Sequence, residues 1–170
     1  MRKVFLIIFT ITLLTSCGSS KPSVVTTKKE AGKTKVRPSK SSDKKIDKII
    51  DIAESFEGTP YKFGGTTSKG MDCSGLIYTA CLSEDVKIPR TSKAMSQYGR
   101  KISEREIAEG DFLFFGTDKN SKNVNHVGLV VKKKSGKIFF IHSTTSRGVI
   151  ISSLDEKYWK ESFVMVRRII

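Results

Sequence analysis

The chain has 170 residues, a length that suits one domain with additional segments, since single hydrophobic cores usually span about 100–200 residues. Its hydrophobic fraction of 38%, with ten Phe, excludes a chain that is disordered throughout. The formal net charge of +14 at pH 7 indicates an anionic partner, whose nature depends on where the positive charge lies along the chain.

The first sixteen residues predict a secretory signal peptide. Arg2 and Lys3 precede an apolar run over residues 4–14, which is shorter than the roughly 20 residues that a membrane-spanning helix needs. A basic start, a short apolar middle and small residues before a cleavage point are typical of exported proteins. Residues 1–16 are therefore expected to be removed.

The cysteine that follows this segment predicts a lipid anchor. Residues 14–17 read Leu-Thr-Ser-Cys and resemble the lipobox of bacterial lipoproteins, where cleavage precedes the Cys, which is then acylated. An ordinary signal peptide with a chance Cys is the alternative. Several acyl chains anchor a protein firmly, whereas one binds only marginally. We expect Cys17 to hold the protein in the cell envelope, on the outer membrane facing the periplasm.

The positive charge is concentrated near the N-terminus. Residues 1–45 hold eleven Lys or Arg and two acidic residues, which gives +9 of the +14. Residues 17–41 are rich in Lys, Ser, Thr and Pro and predict a flexible basic linker, suited to anionic lipid or wall polymer. Nucleic acid is the alternative, but an exported protein rarely meets it, so we expect no nucleic-acid partner.

The remaining residues, 42–170, predict one α+β domain. Helices are expected near residues 46–56, 73–82 and 92–98, and strands at residues 111–115, 126–132, 137–143, 149–152 and 163–169. A hairpin turn is expected at residues 134–137, Lys-Ser-Gly-Lys. Helices that precede strands predict N-terminal helices packed on a C-terminal antiparallel β-sheet.

An unpaired thiol points to nucleophilic chemistry. After Cys17, the chain holds only Cys73 and Cys81, and eight residues along one helix separate their Cα atoms by about 12 Å, beyond disulfide reach. Cys73 begins a predicted helix that Asp72 can cap. N–H groups at a helix start and a nearby imidazolium favour a thiolate, and the same N–H groups can bind an oxyanion. Cys81 is expected in the core.

The two histidines of the chain, His126 and His142, lie on strands that the hairpin turn would pair. A turn centred near residue 135 places His126 opposite a position near 144, close to His142. The pair can supply a base and the group that orients it; hydrogen-bonded strand-end residues are the alternative. Zinc is a second alternative, but separations of 53 and 16 residues along Cys73, His126 and His142 match no short metal motif. No metal and no cofactor are expected.

Six segments resemble the NlpC-type cell-wall peptidase family, whose fold is a papain-like α+β core. The two strongest are residues 72–76, Asp-Cys-Ser-Gly-Leu, and residues 126–129, His-Val-Gly-Leu. The others are residues 60–65 around Tyr61, residues 88–92 with Pro and Arg, the strand at 110–115 and the strand at 140–143. Their order over about 110 residues is specific to the family.

The resemblance implies hydrolysis within peptidoglycan stem peptides, commonly between D-glutamate and a diamino acid. It makes Cys73 the nucleophile, His126 the base and His142 the orienter, in a protein expected to be a monomer. Two alternatives keep the fold: another cell-wall amidase or acyltransferase, or a non-catalytic wall-binding lipoprotein.

The resemblance also implies contacts to the substrate or the oxyanion. The Tyr61 hydroxyl would point into the cleft near the sulfur. Asp72 and Ser74 would meet a free substrate amine, with a plain helix cap as the alternative for Asp72. Arg90 would pair with a substrate carboxylate or be a surface charge. Trp159 is expected to pack in the fold, with stacking on sugar rings as the alternative.

Overall fold

The structure, a computed structural model, describes residues 40–118 and 122–170, which belong to one compact unit. The predicted signal peptide, the anchor at Cys17 and nearly all of the predicted linker lie outside the described residues. Within the described residues, no helix has the length and apolar character to cross a membrane.

The helices of the described chain are α1 (Lys40–Glu54), α2 (Cys73–Leu82), α3 (Ser92–Met95) and α4 (Lys157–Ser162). The α2 helix has the predicted bounds. The α1 helix begins earlier than its apolar periodicity indicated, two residues before the expected start of the domain at residue 42, and α3 ends earlier than predicted. The α4 helix was not predicted, since its single turn and a half carries too few apolar positions to show a period.

The main sheet of the described residues has six strands in the order β3-β8-β4-β5-β6-β7, and every neighbouring pair is antiparallel. Its strands are β3 (Arg100–Ile102), β4 (Phe112–Phe115), β5 (His126–Lys134), β6 (Lys137–Thr144), β7 (Gly148–Ser153) and β8 (Phe163–Arg168), and a separate hairpin joins β1 (Thr66–Thr67) to β2 (Gly70–Met71). The predicted α+β fold with an antiparallel sheet is confirmed.

Both faces of this sheet are covered. One face packs on α1 and α2 through Ile49, Leu76 and neighbouring residues, and the other packs around Trp159 of α4. Every residue of β4, which reads Phe-Leu-Phe-Phe, is buried. A strand covered on both faces is apolar at successive positions rather than alternating, and this explains the β4 sequence.

The hairpin between β5 and β6 sets the register of the histidines. Ser135 and Gly136 both have positive φ, 50° and 80°, as a two-residue turn that follows the twist of the strands requires. The pairs run from Lys134↔Lys137 to Leu129↔Ile141, a register that places residue 144 across from His126, as predicted. Beyond Leu129↔Ile141, β5 and β6 no longer pair with each other, although β5 still pairs with β4 and β6 with β7, so a gap opens between them at this end.

An ion pair links the last strand, β8, to the start of β4. Arg168 donates from Nε and Nη2 to the two carboxylate oxygens of Asp111, each at 2.7 Å. Asp111, which is 1% exposed, also accepts from the N–H of Ala108 at 2.8 Å. Burial and a two-point geometry make such a pair strong once formed and costly to break.

We expect Asp111→Ala to lower the free energy of unfolding by about 2–3 kcal/mol, since it leaves the Arg168 guanidinium and the Ala108 N–H without their acceptor. The control is Glu84→Ala, which removes the more exposed Lys48–Glu84 pair at 3.4 Å and should cost about 0.5 kcal/mol. Urea unfolding of both variants measures the difference. Equal losses would show that the buried pair contributes no more than the exposed one.

Candidate active site

The first turn of α2 holds the cysteine. Asp72 has extended backbone angles (φ −89°, ψ 173°) and its carboxylate accepts from the N–H of Gly75 at 2.6 Å, so it caps the helix. Cys73 is the first helical residue and is 9% exposed. A Cβ on Gly75 would collide with the carbonyl of Gly65, so only glycine lets the preceding loop approach the helix this closely.

Arg90 and Asp72 bind each other with two parallel hydrogen bonds, from Nη1 to Oδ1 and from Nη2 to Oδ2, each at 3.0 Å. Arg90 Nη1 also donates to Ser74 Oγ at 2.9 Å, and the Gly64 N–H donates to Asp72 Oδ2 at 2.8 Å. Burial alone would raise the pKa of Asp72, but the bonds from Arg90, Gly75 and Gly64 hold that pKa below its ordinary value. Arg90 is therefore engaged within the protein.

The cysteine sulfur lies where β5 and β6 separate. The Val130 N–H donates to Asp111 next to β4, and alternate residues of a strand direct their N–H groups to opposite edges. The Val127 N–H therefore points to the unpaired β6 side, where it lowers the pKa of the Cys73 thiol. On β6, Ser143 Oγ donates to the carbonyl of Met71 at 2.8 Å. The start of α2 thus fills the opening.

The Cys73 thiol is neutral at rest. Burial raises its pKa, the N–H groups of Val127, Ser74 and Cys73 itself lower it, and the charge of Asp72 raises it; the net pKa lies above its ordinary value. The N–H groups at the helix start thus lower the pKa of Cys73, in the direction expected from the sequence, but burial of a thiolate raises it by more.

The two histidines form a buried pair. His126 Nε2 lies 2.9 Å from His142 Nδ1, with the rings perpendicular at 90°. His142 is fully buried, at 0% exposure, and its Nε2 lies 3.1 Å from the hydroxyl of Ser152. The hairpin prediction that these rings meet is confirmed, and Ser152 is a contact that the sequence did not indicate.

Aromatic rings enclose this pair. Trp159 stacks on His126 with centroids 5.3 Å apart and meets His142 edge-on at 4.5 Å; Phe140 lies 4.7 Å from His142. Burial lowers the pKa of His126 to about 4, and burial with the charges of His126 and Arg147 lowers that of His142 to about 2. Both imidazoles are neutral at pH 7. Trp159 packs in the fold, and it covers the histidines.

A cleft of about 460 Å³ opens in front of the cysteine. Its lining comprises Tyr61, Phe63, Gly64, Asp72, Cys73, Ser74, Arg90, Thr91, Ser92 and Asn125. The histidines do not line it. Burial raises the pKa of the Tyr61 hydroxyl, and the charges of Cys73 and Asp72 raise it further, so Tyr61 enters the cleft as a neutral donor. Phe63, at the cleft, is 89% exposed and was not predicted to contribute.

The structure thus brings the predicted residues Tyr61, Asp72, Cys73, Ser74 and Arg90 to one cleft and pairs the two histidines with each other. Among residues 40–118 and 122–170, no cluster of three or more His, Cys, Asp or Glu side chains is arranged to hold a metal ion.

Comparison with known proteins places the chain in a family. A family model, the NlpC/P60 family, matches residues 58–168. A probable endopeptidase NlpC homolog from Haemophilus influenzae is 41% identical over 138 residues, 79% of this chain and 69% of that protein. The murein DD-endopeptidase/murein LD-carboxypeptidase MepS from Escherichia coli is 32% identical over 124 residues, 72% of this chain and 62% of that protein.

A solved structure supports the same family. A crystal structure of an NlpC/P60 family protein from Bacillus cereus matches with a TM-score of 0.66 at 31% identity, over 72% of this chain and 39% of that one. The chain therefore spans about two fifths of that protein. With the family model covering more than half of the sequence, the chain belongs to the NlpC/P60 family.

Proposed function

We propose that the chain is a cysteine endopeptidase that cleaves peptidoglycan stem peptides as a monomer, with Cys73 as nucleophile, His126 as base and His142 as orienter. The observation that carries the proposal is the contact between His126 Nε2 and His142 Nδ1, 2.9 Å apart, on a strand whose next residue, Val127, has an N–H that lowers the pKa of the Cys73 thiol. We assign the other ring nitrogen of His126, Nδ1, which is nearer the backbone, to the thiol of Cys73. Relatives named endopeptidases support the reaction class.

The reaction begins from a neutral thiol and a neutral imidazole. As Sγ of Cys73 attacks the carbonyl carbon, Nδ1 of His126 takes the thiol proton, and the carbonyl oxygen becomes an oxyanion. We assign the binding of that oxyanion to N–H groups at the start of α2 and to the hydroxyl of Tyr61, which lines the same cleft as Cys73. His126 then gives its proton to the departing amine as the C–N bond breaks. Water, deprotonated by His126, hydrolyses the thioester and restores the thiol.

The pairing of Asp72 with Arg90 bears on substrate binding. The Asp72 carboxylate already accepts from Arg90, Gly75 and Gly64, so most of its hydrogen-bonding capacity is used inside the protein. We infer that Asp72 and Arg90 chiefly hold the floor of the cleft and that Tyr61 offers its hydroxyl to the substrate. The Ser74 hydroxyl belongs to the floor as well, since it donates to Asp72 and accepts from Arg90. Purified peptidoglycan rather than a single synthetic peptide is the appropriate first substrate, since the fragment masses identify the bond.

We expect Cys73→Ser to reduce the release of peptide fragments from purified peptidoglycan by at least about 10³-fold, because the serine hydroxyl is far less acidic than the thiol it replaces. Cys81→Ala is the matched control, since this second buried thiol lies in the core and should leave hydrolysis intact. Mass spectrometry of the released fragments measures both. Hydrolysis by Cys73→Ser at the wild-type rate would exclude the nucleophile and the mechanism with it.

The raised pKa of Cys73 predicts how its alkylation depends on pH. A thiol whose pKa is raised stays protonated to higher pH, so the rate of its reaction with iodoacetamide should rise about tenfold per pH unit from pH 6 to pH 8. Mass spectrometry follows the modified cysteine. Cys81, whose pKa burial raises to about 12, serves as the internal control and should react more slowly. A rate that stays level across this range would instead indicate a resting thiolate–imidazolium pair.

We further propose that acylation of Cys17 anchors the protein in the cell envelope, on the outer membrane. The support is the sequence of residues 14–17 after an apolar run. The Cys17→Ala variant should fail to incorporate labelled palmitate in bacteria and should leave the membrane fraction, since no acyl chain remains to hold it. The Cys81→Ala variant is the control. Palmitate incorporation by the Cys17→Ala variant would show that another residue is acylated.

A further inference from the structure

A buried hydroxyl lies at the far end of the histidine pair. Ser152, on β7, is 4% exposed, and its Oγ lies 3.1 Å from Nε2 of His142. The β6–β7 register pairs His142 with Ile150, so Ser152, two residues further along, shares the face that carries the His142 ring.

The surroundings of His142 leave its Nε2 few partners. The ring is fully buried and contacts the rings of Trp159, Phe140 and His126, none of which presents an oxygen. Within the described residues, the Ser152 hydroxyl is the side-chain group found bonded to this nitrogen. Buried N–H groups without an acceptor are rare in proteins, and rarer than buried acceptors that lack a donor.

The proton positions along this chain of bonds depend on one another. To accept the proton of Cys73, His126 must be unprotonated at Nδ1 and carry its hydrogen on Nε2. That hydrogen is then donated to Nδ1 of His142, 2.9 Å away. His142 in turn carries its hydrogen on Nε2 and donates it to the oxygen of Ser152. The opposite order of donors would leave His126 with an N–H where a base is needed.

A serine hydroxyl can donate to this nitrogen or accept from it. We propose that Ser152 accepts from His142 Nε2 and is thereby a positioning residue that supports the productive tautomer of His126 through His142. This inference rests on the proposed role of His126 as base. Removing the acceptor moves the hydrogen of His142 to Nδ1, because that tautomer leaves only a lone pair unpaired in the interior. His126 Nε2 must then accept, and its own hydrogen moves to Nδ1, in front of the sulfur.

The test uses the full-length chain without a histidine tag, labelled with ¹⁵N on its two histidines. Long-range ¹H–¹⁵N spectra at pH 7 report which nitrogen of each ring is protonated. In the wild type we expect hydrogens on Nε2 of both rings. In Ser152→Ala we expect both to move to Nδ1, and kcat on purified peptidoglycan to fall about 10- to 100-fold with KM unchanged.

Two further variants separate positioning from stability. Ser152→Thr keeps the hydroxyl and should restore both the tautomers and kcat. Ser96→Ala removes another buried serine hydroxyl, which donates to the Lys93 carbonyl at 2.7 Å, and should change neither. A wild-type His142 protonated on Nδ1 overturns the proposal even if no variant folds. The spectra do not depend on hydrolysis, so the failure of Cys73 as nucleophile would be seen separately.

Discussion

The arrangement of the site depends on the early end of pairing between β5 and β6. Pairing stops at Leu129↔Ile141 although both strands continue, and the Val127 N–H is left without a strand partner. This N–H instead acts on the sulfur at the start of α2, whose pKa it lowers. The opening also connects the two faces of the sheet, since α2 packs on one face and the histidines lie with Trp159 on the other. A fully paired sheet would keep thiol and imidazole apart.

Burial decides the charge state of this site. The N–H groups around the sulfur favour a thiolate. However, the free-energy cost of removing water from a buried thiolate exceeds the stabilisation that these groups provide. The same cost keeps both imidazoles neutral, because Trp159 and Phe140 replace water around them. In the proposed mechanism, proton transfer from Cys73 to His126 therefore accompanies attack on the substrate rather than preceding it. This proton transfer depends on the tautomers of the two histidines more than on a preformed thiolate–imidazolium pair. The hydrogen-bond partner of His142 therefore matters.

The sequence predicted what depends on local patterns. The α2 start at Cys73, the turn at Ser135 and Gly136 and the approach of His126 to His142 follow from a helix cap, a hairpin turn and strand spacing. It did not predict Ser152, because that contact requires the β6–β7 register and β7 carries no turn signal strong enough to fix it. β3 was missed because it is short and mostly exposed. The pairing of Asp72 with Arg90 joins residues 18 positions apart in a loop-rich region, where no periodicity applies.

The Asp72–Arg90 pair lets a negatively charged residue cap α2 directly beside the sulfur of Cys73. A carboxylate is an effective cap because it accepts from Gly75 and also fixes the preceding loop through Gly64. Its negative charge, however, opposes any negative charge on the adjacent sulfur. Arg90 offsets that charge with two parallel bonds and donates to Ser74 as well. Asp72 can thus remain ionised beside a sulfur that, in the proposed mechanism, becomes anionic during attack. The loop that carries Arg90 therefore offsets the charge at the start of α2.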